Sequence, residues 1–288
     1  MPEEVTVEVT DVVGEWTKIL KKQFKRELAE LSREYPHKRS LIIDFRKILN
    51  NRLAFELLRS PGKVLGDIRD AIVQNRLLKL KDGQDPDLIN IRFTNLPQKT
   101  DVRDIRADQI NTFIGIEGIL RKTTEVRPRI VSAVFRCRSC GKNTDPVPQG
   151  YGRFDEPDVC PNCVRKTRLD LVMNRCRFVA AQKLRIQESP EGLRGGEQPQ
   201  TLDIDVTDDL TGMVSPGDRV VVNGILRSVQ RVNYGQKSTL FDIYLECNSI
   251  EVAEKEFEEV SITEEDEVKI KALARDPLVY KKIARSIA

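Results

Sequence analysis

Histidine and tryptophan are nearly absent: His37 and Trp16 are the only ones in 288 residues. A lone histidine just past Pro36, in a basic loop, provides no pair for acid–base or metal chemistry and reads as a solvated loop residue. Aromatic residues make up only 6%, so a nucleic-acid contact would rest on backbone electrostatics rather than base stacking. No apolar run reaches the roughly 18 residues of a membrane span. The first 13 residues alternate glutamate with valine and threonine. They lack the basic start and apolar stretch of a signal peptide. Also missing are GxxxxGK followed by Ser or Thr, GxGxxG after a strand, GxSxG and HExxH. The glycines near 194–196 have no following Lys-Ser or Lys-Thr. Carboxylates occur in surface-type runs that mark no buried acid–base pair. As it stands, this stretch reads as non-catalytic.

Net charge is also small, +3 from 48 basic and 45 acidic residues. It is unevenly spread. Residues 98–178 carry 16 basic and 10 acidic groups, net +6, whereas 179–250 and 251–288 are each net −3. A basic middle suits a polyanion; an ordinary solvated surface is the plainer account. The length allows about two domains.

Six cysteines are present, four of them in two CxxC pairs: Cys137 with Cys140, and Cys160 with Cys163. Two such turns can complete a tetrahedral four-sulfur shell, and Gly141 and Pro161 suit the tight turns. A structural zinc fits this spacing, with disulfides or another metal such as iron as alternatives. A chain of this size without a secretory signal argues against disulfide staples. Four cysteines leave no open position for a catalytic zinc. Cys176 and Cys247 lie in strand-like runs and read as buried small hydrophobes.

Hydrophobic spacing divides the chain. Trp16, Ile19, Leu20, Phe24, Leu28 and Leu31 recur at helical steps, which predicts one amphipathic helix ended by Pro36. Residues 40–45 suggest a strand. Further helices are expected from Ile48 to Leu58, stopped near Pro61 and Gly62, and from Val64 to Leu77. Residues 1–97 thus read as a helical bundle. From Leu88 short β-rich runs follow, separated by Gly, Pro and Asp, without a βαβ rhythm. They predict a small closed or partly open barrel over 98–250, with the cysteine pairs in an insertion at 136–170. Glu188–Pro199 is a polar, Gly-rich loop. Residues 227–240 read as a long hairpin with an Asn-Tyr-Gly tip. Its arms carry Arg231 and Lys237, set either to enter a groove or merely to be solvated. Residues 251–267 hold nine acidic groups. Thr263 can cap a helix after them, and Pro277 a second. Those two short helices look like the opening of something larger beyond Ala288.

Two classes of function remain on the residues alone: a nucleic-acid-binding module, or a structural and oligomerisation module. A zinc hydrolase is third.

The stretches IEGILRKTTEVRPRIVSAVFRCRSCG at 116–141, CPNC at 160–163, and LRIQESPEGLRGGEQPQTLDIDVTDDLTGMVSPGDRVVVNGILRSV at 184–229 closely resemble the minichromosome maintenance (MCM) helicase family. The resemblance covers nearly all of 88–250 and is greatest to the N-terminal region of archaeal members. It implies a multidomain chain: an N-terminal helical bundle, then an all-β OB-fold barrel with an inserted zinc-binding subdomain. It further implies a homo-hexamer, in some cases a head-to-head double hexamer, around single- or double-stranded DNA. An ATPase domain with the missing Walker motifs, using ATP and magnesium, would follow residue 288. The parent would be an ATP-dependent DNA helicase working with other replisome proteins, cytoplasmic and chromosome-associated. A stand-alone single-strand binder or assembly module without a motor is the alternative.

By the same resemblance, Cys137, Cys140, Cys160 and Cys163 match the family's zinc ligands, one zinc per chain. Arg231 and Lys237 match the DNA-contacting hairpin, to within a residue or two of register. Arg121, Lys122, Arg127 and Arg129, with Lys183 and Arg185, match strands lining the single-strand path. Glu188, Gly195, Gly196, Glu197 and Pro199 match the loop that communicates with the motor.

Overall fold

Asp11 opens the first helix by accepting the Gly14 N–H at 2.9 Å, an N-cap that satisfies one orphan donor. This computed structural model describes residues 11–80, 86–150, 154–189, 198–233 and 236–254, and, further on, 270, 271, 273, 274 and 278–280.

The expected single helix over 16–31 is two: α1 Val12–Gln23 and α2 Lys25–Glu34. Phe24 breaks it with φ −121° and ψ 24°. The side chain of Phe24 is fully buried, and the Lys47 ammonium lies 4.8 Å from its ring centre. The apolar spacing runs on through the break, so periodicity could not reveal it. α3 spans Arg52–Arg59, and α4 Pro61–Gln74. Pro61 therefore begins a helix as well as following one, its fixed φ suiting the first turn.

The helical part also contains a two-stranded parallel sheet, β1 Ser40–Asp44 with β2 Asn90–Thr94. Its core, with Trp16, Leu20, Phe45 and Phe93, also takes in Phe113 and Ile225 from the barrel. The seam between the two is polar and specific. The Asn248 side chain accepts the Phe93 N–H at 2.7 Å and donates to the Ile91 carbonyl at 2.7 Å. Arg92, nearly buried, donates to the Asn248 carbonyl at 3.0 Å and pairs with Asp209. The helices thus share a core with the barrel rather than forming a separate bundle, and residues up to Glu254 make one compact unit.

The barrel strands are β3 Phe113–Thr123, β8 Arg177–Gln187, β9 Thr201–Thr207, β10 Arg219–Asn233 and β11 Gln236–Glu254. Their order around the ring is β3-β10-β11-β9-β8, and β8 closes on β3. All neighbours are antiparallel except β9 with β11. This is the five-stranded OB arrangement. Alternation fills the interior with Ile116, Leu120, Leu184, Ile186, Ile204 and Val222. β10 bends at a register shift between Asn223 and Gly224. A side chain at Gly224 would sit 2.3 Å from the Glu246 carbonyl oxygen, so only glycine lets these strands approach.

The insertion leaves between β3 and β8. β4 Arg127–Ala133 pairs with the first half of β8, while the second half pairs with β3. β8 is therefore one strand that changes partner midway. β6 Val147–Pro148 adds to β4, and β5 Phe135–Cys137 pairs with β7 Leu169–Leu171. Among the described residues no helix is long and apolar enough to cross a membrane. The acidic stretch begins as strand, since β11 runs to Glu254. Thr263 and Pro277 lie outside the described residues.

Candidate metal centre and nucleic-acid groove

Two similar turns place the cysteines. The Gly141 N–H donates to the Cys137 carbonyl at 2.9 Å, and the Cys137 N–H to Lys142 at 3.0 Å. In the other knuckle, the Val164 N–H donates to Cys160 at 2.9 Å, and the Cys160 N–H to Arg165 at 3.1 Å. Each turn needs a left-handed residue: Gly141 at φ +71° and Val164 at φ +54°. Glycine is at ease there, whereas a β-branched residue is strained. Sequence reading took Pro161 as the turn signal of the second knuckle and missed Val164. Its position after the second CxxC, matching Gly141, was the available clue.

The four Sγ atoms lie within 4.8 Å of one another. Cys137 and Cys163 are 3.8 Å apart, and Cys140 and Cys160 3.9 Å. Tetrahedral ligands at ~2.3 Å from one ion stand about 3.8 Å apart, so the set fits a metal ion. All six cysteines are free, against the disulfide alternative. The Cys140 N–H on its sulfur leads in holding the Cys137 thiol down to about 7. The Arg165 N–H favours the Cys163 thiolate, yet burial and the three neighbouring thiols outweigh it and push that thiol up to about 11. These two thiols are thus pushed in opposite directions, and a bound cation would favour the thiolate form of both. Cys247 is buried in the barrel, and its thiol is pushed up to about 12 by burial. Cys176 packs beside the cysteine cluster. Cys247 is thus the buried packing residue expected, whereas Cys176, just ahead of β8, is only half-buried.

Five of the basic residues singled out in the sequence share one concave strip. Arg127 and Arg129, two apart on β4, line a hollow with Lys183 and Asp205. Lys183, Arg185 and Arg231 line the next, which also contains Asp205. Lys183 and Arg185 point outward because Leu184 and Ile186 point in. Lys122 pairs in register with Arg185, beside a β-bulge at the exposed Arg121. Arg231 sits at a register shift of the hairpin. The backbone of Lys237 pairs with Val232; its side chain, and the tip at 234–235, lie outside the described residues.

What the sequence did not disclose is that carboxylates already hold these cations. Lys183 faces Asp205 across the β8–β9 ladder, with 3.7 Å between charges, and Arg185 faces Asp203 at 2.5 Å. Arg231 reaches Asp242 at 2.5 Å, and Arg127 reaches Glu125 at 3.4 Å. The bond from Arg231 lowers the Asp242 carboxyl. Burial raises Asp205 above the ordinary value despite Lys183 and Arg129. The alternation in TLDIDVT, residues 201–207, was the signal for Asp203 and Asp205 on one face.

At the barrel's end Glu188 is buried and Pro199 half-buried. The Glu188 N–H donates to the Gln200 carbonyl at 3.1 Å, closing the base of the Gly-rich loop. Gly195, Gly196 and Glu197 lie outside the described residues.

A five-stranded OB barrel with a four-cysteine knuckle pair inserted after its first strand, and a long ribbon formed by its last two, defines a class: an OB-fold protein with an insertion able to hold a metal ion. Residues 101–230 match the MCM OB domain. The fold superposes on the crystal structure of the N-terminal domain of an archaeal MCM with a TM-score of 0.71 and 33% identity. The match covers 84% of this chain and 98% of that one. The chain is 36% identical over 261 residues to the minichromosome maintenance protein MCM of Saccharolobus solfataricus, covering 87% of this chain and 38% of that protein. It is 30% identical over 272 residues to the DNA replication licensing factor MCM4 of Arabidopsis thaliana, covering 86% and 31%. The chain belongs to the MCM family and corresponds to its N-terminal domain. It spans about a third of the length of these curated relatives.

Proposed function

We propose that this chain is the DNA-binding and ring-assembling part of an ATP-dependent replicative helicase. The observation that carries the reading is the continuous strip of Arg127, Arg129, Lys183, Arg185 and Arg231 across β4, β8 and β10. Such a strip follows a sugar–phosphate chain and carries little sequence information. Arg121, Lys122 and Lys237 extend it along β3 and the hairpin. The strip serves single- or double-stranded DNA threaded through a homo-hexamer.

The four cysteines hold one zinc ion, which fixes the insertion as a contact surface between two rings set head to head. The ion's role is structural, because all four positions are protein sulfur. Glu188, Gly195, Gly196, Glu197 and Pro199 form the loop that signals to a C-terminal ATPase, where ATP and magnesium act. The assembly works on the chromosome in the cytoplasm of an archaeal cell, with other replisome proteins.

Arg231→Ala with Lys237→Ala tests the groove by fluorescence anisotropy over a salt series. Binding should weaken for every DNA sequence, and the slope of log affinity against log salt should flatten by about 1–2. An unchanged slope would remove the hairpin from the interface.

A further inference from the structure

Carboxylates hold the cations of the barrel strip, but those of a second basic surface, on the helical part, make no close ion pair among the described residues. Lys21 and Lys25 flank the junction of α1 and α2, Arg33 lies on α2, and Arg76 and Lys79 follow α4. These five exposed cations rim one concave strip, and none makes a close ion pair with a carboxylate among the described residues, although Arg33 lies near enough to Glu30 to help lower its carboxyl. The floor is apolar, formed by Leu28, Ala29 and Leu77, with the lysine stems adding methylene surface. The strip is held in shape. The Asn75 amide donates to Thr17 Oγ1 at 3.0 Å and to the Ala71 carbonyl at 3.2 Å. The Lys79 N–H donates to Ser32 Oγ at 3.2 Å. Arg76 takes a left-handed φ of +45°, turning the chain where the rim requires it.

We propose that this strip docks an acidic peptide segment of a partner protein, one with apolar side chains between its carboxylates. The floor accepts the apolar side chains, and the rim accepts the carboxylates. No ion pair among the described residues has to break first, so the rim charge is available to an incoming anion. A nucleic-acid strand would match the rim charge but would leave the apolar floor of Leu28, Ala29 and Leu77 without aliphatic side chains to cover it.

The test is anisotropy of a labelled peptide of glutamate and leucine binding to the full chain. The peptide has about 16 residues, with leucines at helical spacing. Controls are the same peptide with each leucine changed to serine, and an oligothymidylate. The leucine peptide should bind, and the serine peptide about tenfold more weakly. Lys25→Glu with Arg33→Glu should also weaken binding about tenfold. Ala29→Trp, which fills the floor without changing charge, should weaken it too. Both variants alter exposed positions and should melt like the parent. No binding, or binding indifferent to the variants, overturns the proposal. So does oligothymidylate binding that the same variants abolish, which would make the strip a nucleic-acid site.

Discussion

Glu188 and Arg103, 85 residues apart, meet at the base of the Gly-rich loop. The nearly buried Glu188 carboxylate accepts the Arg103 N–H at 2.8 Å, Nε at 3.1 Å and Nη2 at 3.1 Å. It also accepts the Gln200 N–H at 3.0 Å, from the far side of the loop. One carboxylate thus ties both ends of the loop to the segment leading into β3.

Burial alone would raise the Glu188 pKa, but the bonds from Arg103 and Gln200 outweigh it and lower the pKa. A lowered carboxyl contributes stability above its ordinary value of 4.5 and loses it as pH falls through the folded value. Glu188→Gln should cost about 1–3 kcal/mol at pH 7. In urea melts the gap from the parent should close as pH drops below 4.5. A pH-independent gap would mean that the charge is not what matters.

Asp205 has the opposite sign. With its carboxyl raised above 3.8, the folded chain takes up a proton more readily than the unfolded one. Its ionisation therefore opposes folding once pH rises above that value. Asp205→Asn should raise thermal stability at pH 7. It should also tighten DNA several-fold by freeing Lys183 and Arg129. The parent should gain affinity as pH falls through the folded value of Asp205, and the variant less. Weaker DNA binding by the variant would mean that Asp205 orients the cations rather than restraining them.

Removing one sulfur should empty the metal centre. Cys160→Ser is expected to lose its zinc, read as the metal-to-chain ratio by plasma emission, against one per chain for the parent. The insertion's own core is small: Ala133, Phe135 and Leu169 with two cysteines. Metal binding therefore carries much of its folding. Hydrogen exchange should quicken at the Cys137 and Cys160 amides while β3 and β10 stay protected. Fast exchange throughout the barrel would contradict this division.

Asn248 stands in for a strand against β2, bonding both Phe93 and Ile91. Asn248→Leu keeps the branched outline but leaves a buried N–H and a buried carbonyl unpaired, at a cost of about 3 kcal/mol. Chemical denaturation should show the loss in the midpoint. Unfolding should remain a single transition, because the helical part and the barrel share Phe113 and Ile225 in one core.

The four-cysteine cluster was legible because its chemistry is local: each CxxC turn needs only four residues to aim its two sulfurs. Lys183, Arg185, Arg127 and Arg129 were legible because a period of two puts alternate residues on one face. The break at Phe24 was not, since apolar spacing continues through it. Nor was Arg92, whose partners Asp209 and Asn248 lie more than a hundred residues away. The rim of Lys21, Lys25, Arg33, Arg76 and Lys79 was equally invisible, because it joins ends of helices distant in sequence.

Taken alone, the order of residues settled which side chains could carry charge or bind metal, and which strand faces they would share. Folding decided what those charges meet. The register of β8 against β9 sets Lys183 opposite Asp205 and Arg185 opposite Asp203, turning a row of cations into a row of ion pairs. The same folding left the cations of the helical rim without close ion pairs among the described residues. The reason is one of range: side-chain spacing acts over a few residues, whereas pairing between strands and helices is set by burial of the whole core.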